Sequence, residues 1–382
     1  MDVCCSPHQL LNIGMKLLVL SASTGGGHNM RAYALRDWWH VKGGDCQVYQ
    51  PLENTFWGYK SGCQFYNFIQ KKMPLLHYGY FNFLELASLH RNPGIIFGSK
   101  KFIKKIKEYS PDIIVSVHAH LNHGYFKLAQ TIESKIIPYV VYCGELADGN
   151  GFSRHWVNRD TDLFASPYQE GCIAAEKRGM PSSKCLVAGP LLRKPFYIQD
   201  RSFDRLNILS KYGLQPNLPV YLLGTGANGV NHHPAIIKRL MKAQKKCQVI
   251  ALCGSNEKTL LELRKIPPSD YLDVVALSQV GATEMVSLLR SVDLMVARPG
   301  AGLTTEAIVT GCPMIFDLTG GGMPQENNNL NFWKSKTSPI LSFYSISKLI
   351  NILQENQPIP RVEIPLEESP NLFLDALIKL VK

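Results

Sequence analysis

Between Ala297 and Asn329 the chain reads ARPGAGLTTEAIVTGCPMIFDLTGGGMPQENNN, in which two polar clusters flank one short apolar run. The first, Arg298-Pro299-Gly300-Ala301-Gly302, leads into Thr304, Thr305 and Glu306 at the start of a helical pattern. Glycines there leave the first backbone N–H groups of a helix uncovered. A helix N-terminus carries about half a positive charge, so a phosphate or diphosphate is its natural ligand, and the Arg298 guanidinium would add a full charge. Glu306, within the first two turns, is placed to accept hydrogen bonds from vicinal hydroxyls such as those of a ribose. The blander reading is a plain helix start with a favourably placed carboxylate. The second cluster, Gln325-Glu326 behind the glycines 320–322, tips the balance towards a nucleotide sugar.

A second set of reactive residues lies in the first half. The apolar run Lys16–Leu20 passes into Ser21-Ala22-Ser23-Thr24-Gly25-Gly26-Gly27-His28, and a helical stretch follows to about Trp39. The loop lacks the G-x-G-x-x-G spacing of dinucleotide enzymes, so a nicotinamide site is not indicated. Gly26 and Gly27 allow a bulky molecule to approach the backbone. His28, at the helix start, has its imidazolium disfavoured by the helix dipole, and a neutral imidazole there suits a general base; the alternative is a solvent-facing histidine. The run Pro111–Val117 leads into His118, His120 and His123. With no acid or cysteine in that loop, a metal site is set aside and these residues are read as lining a crevice. After the apolar run Ile136–Tyr142 come Glu145, Asp148 and His155, in a glycine-punctuated loop that suits acid/base work or binding of sugar hydroxyls.

These residues need a scaffold that brings strand ends together. With 382 residues, 45% of them hydrophobic, the chain is long enough for two domains with real cores. Apolar strand-like runs alternate with helical stretches through residues 15–196. The alternation then restarts at residues 219–223, followed by a Gly224-Thr225-Gly226 loop. The pattern predicts an α/β fold of two Rossmann-like domains, 15–196 and 197–360, with a 1–14 extension and a 361–382 C-terminal helix able to pack back on the first domain. In open parallel sheets the loops at the carboxyl ends of strands hold the ligand, which is where both reactive sets fall.

The net charge of +11 is uneven. From Trp57 to Lys107 there are nine basic residues (60, 71, 72, 91, 100, 101, 104, 105, 107) against the single acid Glu85, together with eleven aromatics including Tyr59, Phe65, Phe68 and Phe97. Phe102, Ile103 and Ile106 share one helical face ringed by Lys100, Lys101, Lys104 and Lys105. Such a segment suits an anionic lipid surface; a nucleic-acid partner and a helical pair with core aromatics are the competing readings. Lipid is preferred and nucleic acid is not expected. No run approaches the roughly 20 apolar residues needed to cross a bilayer, so membrane contact is expected to be peripheral. Ten scattered cysteines with no C-x-x-C pair point to a reducing cytosol, and residues 1–14 lack a signal-peptide layout, leaving Met15 as a candidate start. The expected location is the inner face of a membrane.

Several motifs in the same order give a more specific reading. Thr24 to His28, Pro111 to His123 with Ala119 in place of a proline, Gly189 to Phe196, Gly300 to Ala307 and Pro324 to Asn329 together resemble the monogalactosyldiacylglycerol synthases and processive diacylglycerol glucosyltransferases, relatives of the peptidoglycan N-acetylglucosaminyl transferase. The resemblance covers most of residues 15–335. It implies a GT-B architecture, two Rossmann-like domains facing a cleft, and inverting transfer of galactose or glucose from a UDP-hexose to diacylglycerol, with no other cofactor and no metal. It also implies His28 as base, with Glu145 and Asp148 as further acid/base candidates. Glu306 would hold the ribose, Gln325 and Glu326 the hexose, and Gly224, Gly226, Arg298, Gly300, Gly302, Thr304 and Asn329 the rest of the donor. Gly26, Gly27, His118, His123, Trp57 and the four lysines would face acceptor and membrane. The chain departs from the pattern at Leu303, where the family has threonine, at Asn328, where it has glycine, and at Gly144-Glu145-Leu146 with a longer insertion before Trp156. The nearest rival readings are transfer to another hydrophobic acceptor and a GT-B protein that binds without turnover.

Overall fold

The computed structural model describes residues 13–24, 26–72, 79, 82, 85, 90–132, 136–198, 204–226, 231–336, 340–355, 359 and 370–382, with the side chains of 70–72 left out. Residues 1–12, Gly25, the 227–229 part of the second glycine loop, most of the aromatic stretch 73–89 and the segment 360–369 thus lie outside the described residues.

Two six-stranded parallel sheets carry the fold. The first contains β1 (Lys16–Leu20), β2 (Asp45–Tyr49), β3 (Ile113–Ser116), β4 (Tyr139–Tyr142), β5 (Leu163–Ser166) and β6 (Cys185–Val187), in the order β2-β1-β3-β4-β5-β6. The second contains β7 (Val220–Leu223), β8 (Cys247–Leu252), β9 (Leu272–Leu277), β10 (Leu294–Ala297), β11 (Met314–Asp317) and β12 (Leu341–Phe343), in the order β12-β11-β10-β7-β8-β9. Helices on both faces bury these strands on two sides, which is why they read as unbroken apolar runs such as Leu17-Leu18-Val19-Leu20 rather than as alternation. The architecture is GT-B, as expected.

The strand order places the crevices. In the first sheet the chain leaves β1 for β2 on one side and returns to β3 on the other, so the loops after β1 and β3 splay apart at a switch point. The second sheet does the same between β7 and β10. Helix α1 (Gly27–Val41) starts at the first switch point, followed in the chain by α2 (Trp57–Lys72) and α3 (Ser99–Tyr109); α4 (Ala301–Val309) starts at the second, and α5 (Pro324–Lys336) follows β11. The chain crosses between halves through Pro190 and a short 3-10 turn, Lys194–Tyr197. Helix α6 (Asn371–Val381) lies on the first half, where Phe373, Leu374 and Leu377 share a buried cluster with Leu17, Val19 and Trp39, and Lys42 reaches Asp375 at 3.5 Å.

One packing feature differs from the sequence reading. Phe102 and Ile106 of α3 are buried among Leu18, Leu20 and Tyr125, so the apolar face of this helix covers the sheet instead of facing lipid. The amphipathic pattern was right and its partner was wrong: the sheet beside it must be covered, and a helix with so clear a stripe covers it.

Candidate active site

Gly26 caps α1 in a left-handed conformation, φ 78°, that a side chain would strain, and the helix opens at Gly27. This turn aims His28 at the end of β3. Its Nδ1 lies 2.7 Å from the Val117 carbonyl oxygen. A carbonyl only accepts, so Nδ1 carries the proton and the lone pair is on Nε2. Burial, reinforced by the Arg31 charge and opposed by the Val117 hydrogen bond, lowers the His28 pKa to about 4. The imidazole is therefore a neutral base with a fixed tautomer at ordinary pH.

Around it the loops after β3 and β4 assemble a cluster of histidine rings. The His28 and His118 rings meet edge-on at 4.6 Å, His118 and His120 at 5.6 Å, and His120 and His155 at 5.0 Å. His118 Nδ1 accepts from the His120 N–H at 3.3 Å, so its Nε2 carries the hydrogen and donates to Thr24 Oγ1 at 2.8 Å. Burial, with mutual charge repulsion second, holds His118 and His120 far below the usual histidine range. His123 falls to about 4, through burial and then Arg91, and its Nε2 is buried with no hydrogen-bond partner among the described residues. No group of three or more His, Cys, Asp or Glu among the described residues is arranged to hold a metal ion.

The two acids of the loop after β4 part company. Glu145 stays mostly buried beside Arg31 and the Trp156 indole; burial raises its pKa, with Arg31 and a hydrogen bond from Trp156 opposing. Asp148 instead turns to Arg178 at 2.8 Å and Lys177 at 3.5 Å. Burial there is outweighed by the hydrogen bonds from Arg178 and Gly149 and by the two positive charges, so its pKa is lowered. Such a carboxylate is a weak base, and its bonds anchor the loop.

On the second half, the Arg298 and Glu326 side chains are bonded to each other. Arg298 Nε and Nη2 donate to the two Glu326 oxygens at 2.9 and 2.6 Å, while Nη1 and Nη2 also reach the carbonyls of Thr319 and Gly321 at 3.1 and 2.6 Å. Glu326 additionally accepts from the Met323 N–H at 2.9 Å. The pair thus fastens the glycine turn 319–323. Arg298, expected as a charge for an anion, and Glu326, expected as a sugar ligand, have their donors and acceptors committed to this frame. Thr304 is also turned inward: it is fully buried, its hydroxyl donates to the Gly300 carbonyl at 2.7 Å and accepts from the Trp333 indole at 3.1 Å.

Other donor-side residues remain at the cleft. Glu306 is buried and accepts from Arg193 Nη2 at 2.8 Å; burial raises its pKa and Arg193 opposes. Gln325 Oε1 and Asn329 Oδ1 are buried acceptors with no partner among the described residues, although Asn329 Nδ2 donates to Pro299 at 2.9 Å. Gly224 ends β7 against Leu303, whose methyl would lie 2.9 Å from an added Cβ, so the leucine that departs from the family pattern packs at the switch point. Gly226 is exposed, and an added Cβ at Gly226, Gly300 or Gly302 would meet nothing.

The two crevices share a wall. A cavity of about 40 Å³ is lined by Gly27, Met30, Arg31 and Gly144 from the first half and by Ala301, Gly302, Thr305 and Glu306 from the second. That is room for a water or two rather than a nucleotide, while a more open cavity of about 420 Å³ lies between Ala147, Asp148 and Asn150 of the first half and Asn328, Asn331 and Ser335 of the second. The halves also touch at the insertion before Trp156, where a Cβ on Gly151 would sit 2.6 Å from the Gln325 backbone and one on Gly149 2.5 Å from Asn328 Oδ1. Two departures from the family pattern, the insertion and Asn328, thus meet across the cleft.

Trp57, Phe65 and Phe68 of α2 and Phe97 are at least half exposed. Phe56 stacks on Phe97 at 5.0 Å and contacts Trp57 at 5.4 Å. Lys104 bridges to Glu108 at 3.6 Å, Lys105 donates to Gln47 at 2.8 Å, and Lys100 and Lys101 open α3 on the outer surface. Among the described residues no helix is long and apolar enough to cross a membrane.

With this geometry the chain can be compared with known proteins. No protein-family profile matches it. It is 25% identical over 365 residues to monogalactosyldiacylglycerol synthase 1, chloroplastic, of Arabidopsis thaliana, covering 89% of this chain and 67% of that protein. This chain resembles the diacylglycerol glycosyltransferases. A processive diacylglycerol beta-glucosyltransferase of Bacillus pumilus (strain SAFR-032) is 24% identical, with 97% of this chain and 96% of that one covered. The chain spans 59% of the length of the spinach monogalactosyldiacylglycerol synthase that it also matches. Among solved structures, MurG of Acinetobacter baumannii superposes with a TM-score of 0.56 at 13% identity, covering 96% of this chain and 99% of that one, a likeness of fold.

Sequence reasoning missed Arg31, Arg193 and Thr24 as cleft residues. For Arg31 a signal was present: it lies one helical turn after Gly27 and therefore on the same face of α1.

Proposed function

We propose that this chain is a glycosyltransferase that moves a hexose, galactose or glucose, from a UDP-sugar to diacylglycerol at a membrane surface, with inversion at the anomeric carbon. The observation that carries the reading is the pairing of walls: a neutral histidine with its lone pair on Nε2 at one switch point, and an uncapped helix N-terminus at the other, on the two sides of one cleft. The similarity to enzymes named for diacylglycerol supplies the acceptor class.

In the proposed step His28 Nε2 takes the proton of the acceptor hydroxyl, whose oxygen attacks the anomeric carbon. The bond from that carbon to the β-phosphate oxygen breaks, its electron pair stays on the diphosphate, and UDP leaves. A single displacement inverts the centre. Helix α4 supplies backbone N–H groups to the diphosphate, so no metal is given a role. The oxygens of Gln325 and Asn329, without a partner among the described residues, are acceptors suited to sugar hydroxyls, and Glu306 to the ribose. The cavity beside α4 is about 40 Å³, too small for the diphosphate with its sugar, so in the proposed cycle the halves part there to admit the donor. The exposed aromatics of α2 with Phe97, flanked by Lys100 and Lys101, form the surface proposed to meet anionic lipid.

The test is to incubate purified protein with radiolabelled UDP-galactose or UDP-glucose and vesicles containing diacylglycerol, then separate the lipids. Labelled monohexosyldiacylglycerol from one donor is expected, and activity should survive EDTA. No labelled lipid from either donor would refute the assignment.

A further inference from the structure

The donor's diphosphate needs a cation, and the one suggested by the sequence is occupied. Arg298 is spent on both oxygens of Glu326 and on two carbonyls, and Arg193 is paired with Glu306. A third arginine lines the same cavity from the opposite wall. Arg31 of α1 has one hydrogen bond among the described residues, Nη2 to the Gly144 carbonyl at 2.9 Å, and no carboxylate within ion-pair distance. A guanidinium has five N–H donors in a planar fork matched to phosphate oxygens.

Its position is built rather than incidental. A Cβ on Gly144 would fall 2.0 Å from the Arg31 Cζ, so the guanidinium lies over Gly144 only because that residue has no side chain. The surroundings favour an anion. The N-terminal ends of α1 and α4 face each other across the cavity, neither has a side-chain cap, and neither has an acid in its first turn. Two positive helix poles and a cation converge there, with Glu145 beside Arg31 and Glu306 already paired to Arg193 as the nearby carboxylates, and a diphosphate between the poles would add the negative charge they favour.

We infer that Arg31 is a catalytic residue of the first domain that binds the donor's diphosphate, engaging the β-phosphate oxygen that gains charge as the sugar departs. This rests on the UDP-sugar reading above. The anion then also holds the cleft closed, since it bridges α4 on one half and Arg31 on the other. The residue supplies no proton: the electron pair of the breaking bond goes to the diphosphate oxygen and the acceptor's proton to His28, as before.

The test compares uridine with UDP by calorimetry for the wild type, Arg31→Met, Arg31→Lys and Gly144→Ala. The last keeps the charge but pushes the flexible guanidinium aside, a change the fold absorbs easily. The expected result is an unchanged uridine Kd in all four proteins. The ratio of uridine Kd to UDP Kd should fall about 10- to 100-fold in Arg31→Met, the worth of a charge-assisted pair of hydrogen bonds, and part of the way in Arg31→Lys and Gly144→Ala. A wild type that binds UDP, with a ratio unchanged in Arg31→Met and Gly144→Ala, would overturn the role of Arg31 while leaving the donor site standing. So would loss of uridine binding in Arg31→Met alongside an unchanged ratio in Gly144→Ala. A wild type that binds no UDP would remove the donor reading and the inference with it.

Discussion

The two halves each carry a six-stranded parallel sheet with a switch-point crevice, but in different strand orders, and they furnish the crevices in opposite ways. The first half presents neutral, buried, titratable groups: His28, His118, His120 and His123, all held below the usual histidine range chiefly by burial. The second presents charges already matched, Arg298 with Glu326 and Arg193 with Glu306, so that it offers a ligand backbone N–H groups, the remaining acceptor capacity of Glu306 and two amide oxygens with no partner among the described residues. In the proposed reaction a proton moves on the first wall and most of the donor is held on the second, with Arg31 reaching across from the first to its diphosphate. Charges in a glycine-rich motif are thus as often the braces of a loop as its ligands.

Several experiments can break or sharpen this division. The largest effect is expected for His28→Ala, which should lower kcat by about 10²- to 10⁴-fold, the usual worth of a general base; a loss under tenfold would place the base elsewhere, with Glu145 next in line. Next comes the brace. Arg298→Met should destabilise the fold by about 3 kcal/mol in urea unfolding because Glu326 is left buried and unpaired, and adding Glu326→Met should recover most of that. If the single variant is as stable as the wild type, Arg298 is free to serve the donor.

The histidine cluster gives the first half an acid weakness. His28, His123 and His90, whose ring centre lies 5.7 Å from that of His120, stay neutral in the fold down to about pH 4 but bind protons near pH 6.5 when unfolded. The unfolded chain therefore takes up protons between those values, and stability falls as pH drops through that window, by up to about 1.4 kcal/mol per pH unit for each histidine. Urea midpoints at pH 7.5, 6 and 5 measure this; a flat profile would mean the cluster is open to water.

Smaller effects belong to the seam and the outer surface. Gly151→Ala drives a Cβ into the Gln325 backbone and should raise the KM for the UDP-sugar about tenfold by obstructing closure, an overpacking cost of about 1–2 kcal/mol; an unchanged KM would mean that turnover does not pass through this contact. Single changes of Lys100 or Lys101 to Glu should each weaken association with anionic vesicles about fivefold or more, since a lysine near such a surface contributes about 1 kcal/mol. Unaltered association would remove α3 from the membrane surface.

Much of this was legible in the sequence, for physical reasons that also mark where legibility stops. Parallel strands buried on both faces leave unbroken apolar runs, so Lys16–Leu20 and Leu294–Ala297 could be read closely, and the glycine loops that follow marked both crevices. What stayed hidden were choices of partner. Nothing local says that Arg298 turns to Glu326 across 28 positions instead of to a ligand, or that Thr304 faces Trp333. The stripe Phe102, Ile106 announces an amphipathic helix but not whether sheet or lipid covers it. The spacing from Gly27 gives the helical face of Arg31, but its seat over Gly144, more than a hundred residues away, has no local sign.

The most direct test of the division between the walls is the affinity for UDP when each wall is disabled in turn, read by calorimetry on His28→Ala and Glu306→Ala. The account predicts a Kd within twofold of the wild type for His28→Ala and one weakened at least tenfold for Glu306→Ala. If His28→Ala loses UDP as completely as Glu306→Ala does, the two walls do not divide the work and the account is wrong.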